Sequence, residues 1–211
     1  MRSAPLGLHR ATKTTSIALT WDYRCPFARI ANDHVLTALA AGADLDVTFV
    51  PFSLGQVHRE DGQPDVWDAP ETDSGLFALQ VGVALRDQFP DQFAAGHRPI
   101  FEHRHAGGGH LRTPEQLRPV LEGAGIDADK VFAVVATGEP LAAIKAEHTG
   151  YAASHSVWGV PTFVKDDKAV YVRLMNGPAG DAEVAKATVQ RLVDMLDWSD
   201  LNEFKHTSLP N

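Results

Sequence analysis

Residues 16–31 have the sequence SIALTWDYRCPFARIA, in which an apolar run meets the start of a helix. β-Branched, aromatic and aliphatic residues dominate positions 16–23, a composition typical of a buried strand. Proline is favoured in the first turn of a helix, where its missing N–H is not needed, so the helix should begin at Pro26. Cys25 is therefore predicted to lie at the junction between strand and helix.

The residues that follow complete a βαβ unit. Apolar or small residues recur near a 3.6-residue period and the pattern ends near Gly42; they are Phe27, Ile30, Ala31, Val35, Ala38 and Leu39. Residues 45–52, LDVTFVPF, predict a second strand. A strand, a helix and a strand within about forty residues imply a parallel pair joined by a right-handed crossover.

Helices separate this unit from the rest of the sheet. After a polar excursion at 53–72, helical patterns occupy 74–89, 114–122, 127–137 and 140–153 with no strand-like run between them. Short β-rich runs at 160–165 and 169–174 predict a hairpin, followed by an amphipathic helix at 184–196 and a polar tail from Ser199 that should lie on the surface. We predict an α/β fold with one domain at 14–65 and 154–211 and an inserted helical domain at 66–153.

Composition and charge exclude several kinds of partner. The 19 Lys+Arg against 27 Asp+Glu give a net charge of −8, and no basic cluster stands out, so neither nucleic acid nor an anionic membrane is expected to bind. No apolar run approaches the roughly 18 residues that span a bilayer. The first fourteen residues lack the apolar run of a secretory signal. The expected location is cytoplasmic, where the thiol stays reduced.

Cys25 is the only cysteine of the chain. An intrachain disulfide, a two-cysteine redox centre and a multi-thiolate metal site are therefore excluded. At a helix start, unpaired N–H groups and the helix dipole favour the thiolate, so we expect a lowered pKa, with Arg24 and Arg29 adding to the effect and Asp22 opposing it. The alternative is an inert cysteine that only packs in the core.

Residues 21–28, WDYRCPFA, together with 158–163, WGVPTF, resemble the DsbA-like thioredoxin-fold family. The resemblance implies a thioredoxin-like fold with a helical insertion, Cys25 as catalytic nucleophile, and a cis Val160–Pro161 bond facing it. It also implies a set of residues that bind the thiol or disulfide substrate: Tyr23, Arg24, Pro26, Phe27, Ala28, Trp158, Val160 and Pro161.

Within the family, the segments 99–111, 176–178 and 204–210 resemble a cytosolic actinobacterial branch that includes mycothiol-dependent reductases. Ala28 stands where dithiol members have their second cysteine, so Cys25 cannot clear a mixed disulfide by itself. Three functions stay open: a monothiol oxidoreductase using mycothiol or glutathione as co-substrate; a thiol-dependent transferase or isomerase of the kappa or 2-hydroxychromene-2-carboxylate isomerase type; and a non-catalytic binding protein. The expected partner is a small-molecule thiol or disulfide, with no tightly bound cofactor; a homodimer is an allowed assembly.

Four of the ten histidines lie close together, at positions 97, 103, 105 and 110. Their spacing lacks the helical pattern of a zinc site, so we expect a solvated or inter-helix loop and no metal, with residues 107–109, GGG, as a flexible joint. His34 falls on the apolar stripe of the first helix and is expected to be a hydrogen-bonded core histidine.

Overall fold

The computed structural model describes residues 14–201, and a four-stranded sheet forms its centre. The strands are β1 (Thr15–Trp21), β2 (Leu45–Pro51), β3 (Thr162–Lys165) and β4 (Lys168–Tyr171). Their order in the sheet is β2-β1-β3-β4. β1 and β2 are parallel, whereas β3 runs antiparallel to both β1 and β4. The predicted βαβ unit and hairpin are confirmed.

Residues 14–201 contain eight α-helices, and six of them, the first a single turn, lie between β2 and β3 in the chain. Their bounds are α1 (Pro26–Ala40), α2 (Leu54–Val57), α3 (Leu76–Gln88), α4 (Pro90–His105), α5 (Pro114–Gly123), α6 (Ala128–Ala136), α7 (Glu139–His155) and α8 (Ala182–Asp197). A short 3-10 helix covers Pro70–Thr72. The α/β class, with βαβ, helices and ββα in that order, is confirmed. Within residues 14–201, no helix is long and apolar enough to cross a membrane.

Helix α4 corrects the expectation of a histidine-bearing loop. The sequence around it is polar and contains Pro99, which sits inside the helix. Phe93, His97 and Phe101 are spaced four apart and are buried, so one face of this helix enters the core. The four-residue spacing of these side chains indicates one buried helix face. The neighbouring histidines and Pro99 make this pattern hard to recognise in the sequence.

The buried side chains form one continuous cluster across the sheet and the inserted helices. α1 and α8 pack together, while α3 and α7 contact β2. The division into a domain at 14–65 and 154–211 and an inserted domain at 66–153 stays a prediction. Of the predicted polar tail, residues 202–211 lie outside the described part of the chain.

A chain of buried polar groups ties the end of β1 to α4 and α1. Tyr23 Oη lies 2.7 Å from His97 Nδ1, His97 Nε2 lies 3.1 Å from Asn32 Oδ1, and Asn32 Nδ2 donates to the Ala28 carbonyl at 2.8 Å. A carbonyl only accepts, so the Asn32 amide nitrogen must face Ala28. Its oxygen therefore accepts from His97 Nε2–H, and His97 Nδ1 accepts from the Tyr23 hydroxyl. Neutral His97 is thus fully hydrogen-bonded.

Burial lowers the pKa of His97 to about 3, with nearby Arg98 adding to the effect. The unfolded chain binds a proton near pH 6.5 and the folded chain does not, so stability is retained above that pH and lost as pH falls below it. Between pH 8 and pH 5 we expect His97 to remove about 2 kcal/mol from the free energy of unfolding.

Urea unfolding at the two pH values measures this loss. His97→Gln, whose amide can both donate and accept, should reduce the pH-dependent loss by that amount. The same change at the exposed His58 should leave it as in the wild type. An equal loss in wild type and His97→Gln would contradict the expectation.

Candidate active site

Cys25 is the N-cap of α1 and is 7% exposed. Its Sγ accepts a hydrogen bond from the Ala28 backbone N–H at 3.4 Å. The Cys25 thiol donates a hydrogen bond to the Val160 carbonyl oxygen, which lies 3.3 Å from Sγ. The sulfur is therefore held between the first turn of α1 and the segment before β3, and little of it meets solvent.

Buried threonines hold that segment against β1. The Val160–Pro161 peptide bond is cis. Thr20 Oγ1 donates to the Gly159 carbonyl at 3.2 Å and accepts from the Thr162 backbone N–H at 2.8 Å. Thr162 Oγ1 also donates to the Gly159 carbonyl, at 2.8 Å. These bonds fix the position of the Val160 carbonyl relative to Cys25.

The electrostatics around Cys25 correct the expectation of a lowered pKa. Burial raises the pKa of the thiol above its ordinary value, and the charge of Asp22 raises it further. The backbone N–H groups of Ala28 and Phe27 act in the opposite direction, but burial is the larger effect. The resting group is consequently a thiol, as its hydrogen bond to Val160 requires.

Arg24 does not support a thiolate as expected, because its guanidinium is held by two carboxylates. Nη2 lies 2.6 Å from Asp22 Oδ2 and Nη1 lies 2.9 Å from Asp73 Oδ2. A Cβ atom on Gly75 would lie only 2.5 Å from Arg24 Nε, so the Arg24 side chain packs directly against the backbone of Gly75. Arg29 is likewise paired, with Glu102 at 3.0 Å.

The structure separates the expected substrate-binding residues into two groups. Pro26, Phe27, Val160 and Pro161 lie in the two segments that meet at Cys25, and Trp158, two residues before Val160, is 63% exposed. Tyr23 is fully buried and bonded to His97, so its side chain cannot line the cleft; this corrects the expectation for Tyr23.

Ala28 is also fully buried, and it contacts Cys25 through its backbone N–H. Because Cys25 is the only cysteine in the sequence, no second thiol of this chain can resolve a mixed disulfide.

Three other histidines have structural contacts. His105 Nε2 donates to the Tyr23 carbonyl at 2.9 Å, His103 Nε2 donates to the His110 carbonyl at 3.1 Å, and His34 Nε2 donates to the Asn176 carbonyl at 3.0 Å. Within residues 14–201, no three histidine, cysteine or acidic side chains converge as a metal site would require.

Two side chains beside the cleft escaped the sequence analysis. Tyr171 ends β4, and Arg173 lies two residues beyond it; the sequence indicates only that both belong to a β-rich run. Their spacing of two, continued past the end of a strand that pairs with β3, is the signal that could place them on one face.

A parallel βαβ unit and an antiparallel hairpin in one sheet, with a cysteine capping the first helix opposite a cis-proline, define a thioredoxin-like protein with a helical insertion. A family model for the DSBA-like thioredoxin domain matches residues 17–179, more than half of the chain. The chain belongs to the DSBA-like thioredoxin domain family. The search of curated proteins gave no match.

Solved structures share the fold at low identity. A probable DsbA oxidoreductase from Streptomyces coelicolor is 21% identical, with 91% of this chain and 93% of that chain covered and a TM-score of 0.58. DsbA from Xylella fastidiosa is 20% identical, with 90% and 88% covered and a TM-score of 0.57. A 2-hydroxychromene-2-carboxylate isomerase is 16% identical, with 88% and 100% covered and a TM-score of 0.56.

Alkylation of Cys25 should follow the raised pKa. With iodoacetamide, we expect the rate to reach half its plateau above about pH 8.5, the value of an ordinary thiol. Asp22→Asn should lower this midpoint, since it removes the negative charge that adds to the effect of burial on the pKa of Cys25. A short cysteine peptide provides the reference, and a plateau already reached at pH 7 would contradict the result.

Removal of Arg24 should strongly destabilise the fold. Arg24→Met leaves Asp22 and Asp73, whose side chains are 0% and 6% exposed, without their cation, and we expect a loss of about 3 kcal/mol in urea unfolding at pH 7. The same change at the exposed Arg191 is the control. Adding Asp22→Asn and Asp73→Asn to Arg24→Met should recover part of the loss. A loss below about 1 kcal/mol, typical of exposed ion pairs, would count against this.

Proposed function

We propose that the protein is a thiol oxidoreductase that works as a monothiol through Cys25. The observation that carries the proposal is a single cysteine whose sulfur lies between the first turn of α1 and the Val160–Pro161 segment. The proposal takes Ala28 as the residue that replaces the second cysteine. Membership in the DSBA-like thioredoxin domain family supports the class of chemistry.

In the first step, Cys25 loses its proton to solvent or to a base on the substrate, and Sγ attacks one sulfur of a disulfide. A new S–S bond forms to Cys25, the old one breaks, and one thiolate leaves. The Ala28 N–H remains as a donor to the sulfur while it carries negative charge, and the Phe27 backbone also lowers the pKa of the thiol. This limits the cost of ionising a buried thiol.

A second molecule must complete the cycle. A low-molecular-weight thiol, mycothiol or glutathione, attacks the mixed disulfide, forms a new disulfide with the departing group and returns the electron pair to Cys25, which regains its proton. The proposal includes a cytoplasmic location, which rests on the sequence. It also includes a free small-molecule thiol as co-substrate; a homodimer is the assembly to test by light scattering.

The second candidate is a thiol-dependent transferase or isomerase. The raised pKa favours it, because a Cys25 that stays protonated at neutral pH could donate its hydrogen or contact a bound thiol without attacking a disulfide. The fold shared with 2-hydroxychromene-2-carboxylate isomerase is compatible with this candidate. A non-catalytic binding protein is the third.

Intact-mass spectrometry tests the monothiol proposal. After incubation with glutathione disulfide or mycothiol disulfide at pH 8.5, the wild type should gain one thiol adduct and lose it when the reduced thiol is added. Cys25→Ser should gain none. Ala28→Cys restores the second thiol, so its adduct should be released without added thiol.

Two outcomes would overturn the proposal. One is a Cys25 that iodoacetamide alkylates but that neither disulfide modifies. The other is a wild-type adduct released as fast without added thiol as in Ala28→Cys. Turnover of an aromatic electrophile in the absence of disulfide exchange would favour the transferase or isomerase.

A further inference from the structure

Two contacting pairs of side chains belong to the segments around Cys25: Trp158 with Tyr171, and Phe27 with Arg173. We call them the aromatic shelf. The rings of Trp158 and Tyr171 lie 4.5 Å apart between centroids, with their planes 34° from each other. The Arg173 guanidinium lies 5.3 Å from the centroid of the Phe27 ring. The shelf therefore combines three aromatic rings with one cation.

The shelf adjoins the reactive sulfur. A side chain on Gly159 would meet the Tyr171 ring at 3.6 Å, so this ring lies over the residue before Val160, whose carbonyl is 3.3 Å from Cys25 Sγ. The Val172 backbone N–H bonds to the Pro161 carbonyl at 3.0 Å, which holds this end of β4 against the cis-proline. Burial raises the pKa of Tyr171, and the charge of Cys25 adds to the effect, as expected for neighbours.

The charge of Arg173 is available to a ligand. Arg24 and Arg29 are occupied by carboxylates, but Arg173 is exposed and makes no ion pair within residues 14–201. Trp158 is also largely exposed, although burying a tryptophan surface is favourable. A flat ring with an attached anion would satisfy both, because the ring can stack and the carboxylate can pair with the guanidinium.

We propose that the aromatic shelf binds an arene carboxylate, and that the preferred disulfides of Cys25 carry this group. The substrate class rests on the proposed monothiol function, whereas binding to the shelf does not need the thiol. In the reaction, Sγ of ionised Cys25 attacks the nearer sulfur of an aryl disulfide, a mixed aryl disulfide forms on Cys25, and one arenethiolate leaves with the electron pair of the broken bond.

A kinetic test with three disulfides distinguishes the contribution of the aromatic rings from that of the Arg173 charge. 5,5′-Dithiobis(2-nitrobenzoate) has rings and carboxylates, 4,4′-dithiodipyridine has rings only, and 2-hydroxyethyl disulfide has neither. Arg173→Gln should slow the first about fivefold and leave the other two within twofold. Trp158→Ala should slow both aryl disulfides about fivefold more than it slows the aliphatic one.

Arg191→Gln, on the exposed face of α8, makes the same change in net charge away from the site and should leave all three rates within twofold. If Arg191→Gln slows 5,5′-dithiobis(2-nitrobenzoate) as much as Arg173→Gln does, the effect is one of net charge and the proposal is wrong. Equal slowing of all three disulfides by Arg173→Gln would also overturn it.

A binding measurement in Cys25→Ser keeps the two proposals apart. Saturation-transfer NMR should detect 4-nitrobenzoate more strongly than 4-nitrobenzamide, and Arg173→Gln in the same background should remove the difference. This result supports the shelf even if Cys25 proves unable to exchange disulfides. The shelf proposal is overturned, even if Cys25 exchanges disulfides normally, when Cys25→Ser does not bind 4-nitrobenzoate or when Arg173→Gln leaves that binding unchanged.

Discussion

The site depends on the hydrogen bonds and the ion pair that the buried carboxylate of Asp22 makes. This carboxylate accepts the Arg24 backbone N–H at 2.9 Å and the Leu54 backbone N–H at 2.8 Å, and it pairs with the Arg24 guanidinium. Through Arg24 it reaches Asp73, whose other oxygen accepts the N–H groups of Gly75 and Leu76 at the start of α3. One charge thus organises the end of β1, the turn before α1 and the entry to the inserted helices.

This arrangement opposes the reactivity of the thiol it positions. Asp22 lies three residues before Cys25, and its negative charge disfavours a second negative charge nearby. The compensating groups are backbone N–H donors at the start of α1, which are weaker than the combined effect of burial and charge. The site therefore positions the sulfur accurately without favouring its ionised form.

Much of the fold could be predicted from the sequence, because local sequence patterns and long-range packing favour the same helices and strands. The apolar run of β1, Pro26 and the hairpin at 160–174 each gave the right element. Helix α4 did not, because only one of its faces is apolar and Pro99 interrupts the pattern. The site was harder to predict from the sequence. No sequence pattern indicates that Tyr23 turns inward to His97 or that Arg24 pairs with two carboxylates. Nor does one indicate that burial raises the pKa of Cys25 more than the backbone N–H groups at the start of α1 lower it.

The hydrogen bond from Cys25 to the Val160 carbonyl has a consequence for product release. A sulfur engaged in a disulfide has no hydrogen, so any covalent adduct on Cys25 deprives the Val160 oxygen of its donor. The attached molecule can supply a new one if it carries an amide or hydroxyl near the linkage. When the adduct leaves, the thiol reclaims the carbonyl. In the proposed monothiol cycle, the Val160 oxygen would therefore stabilise an adduct that supplies such a donor and disfavour one that leaves the oxygen unpaired.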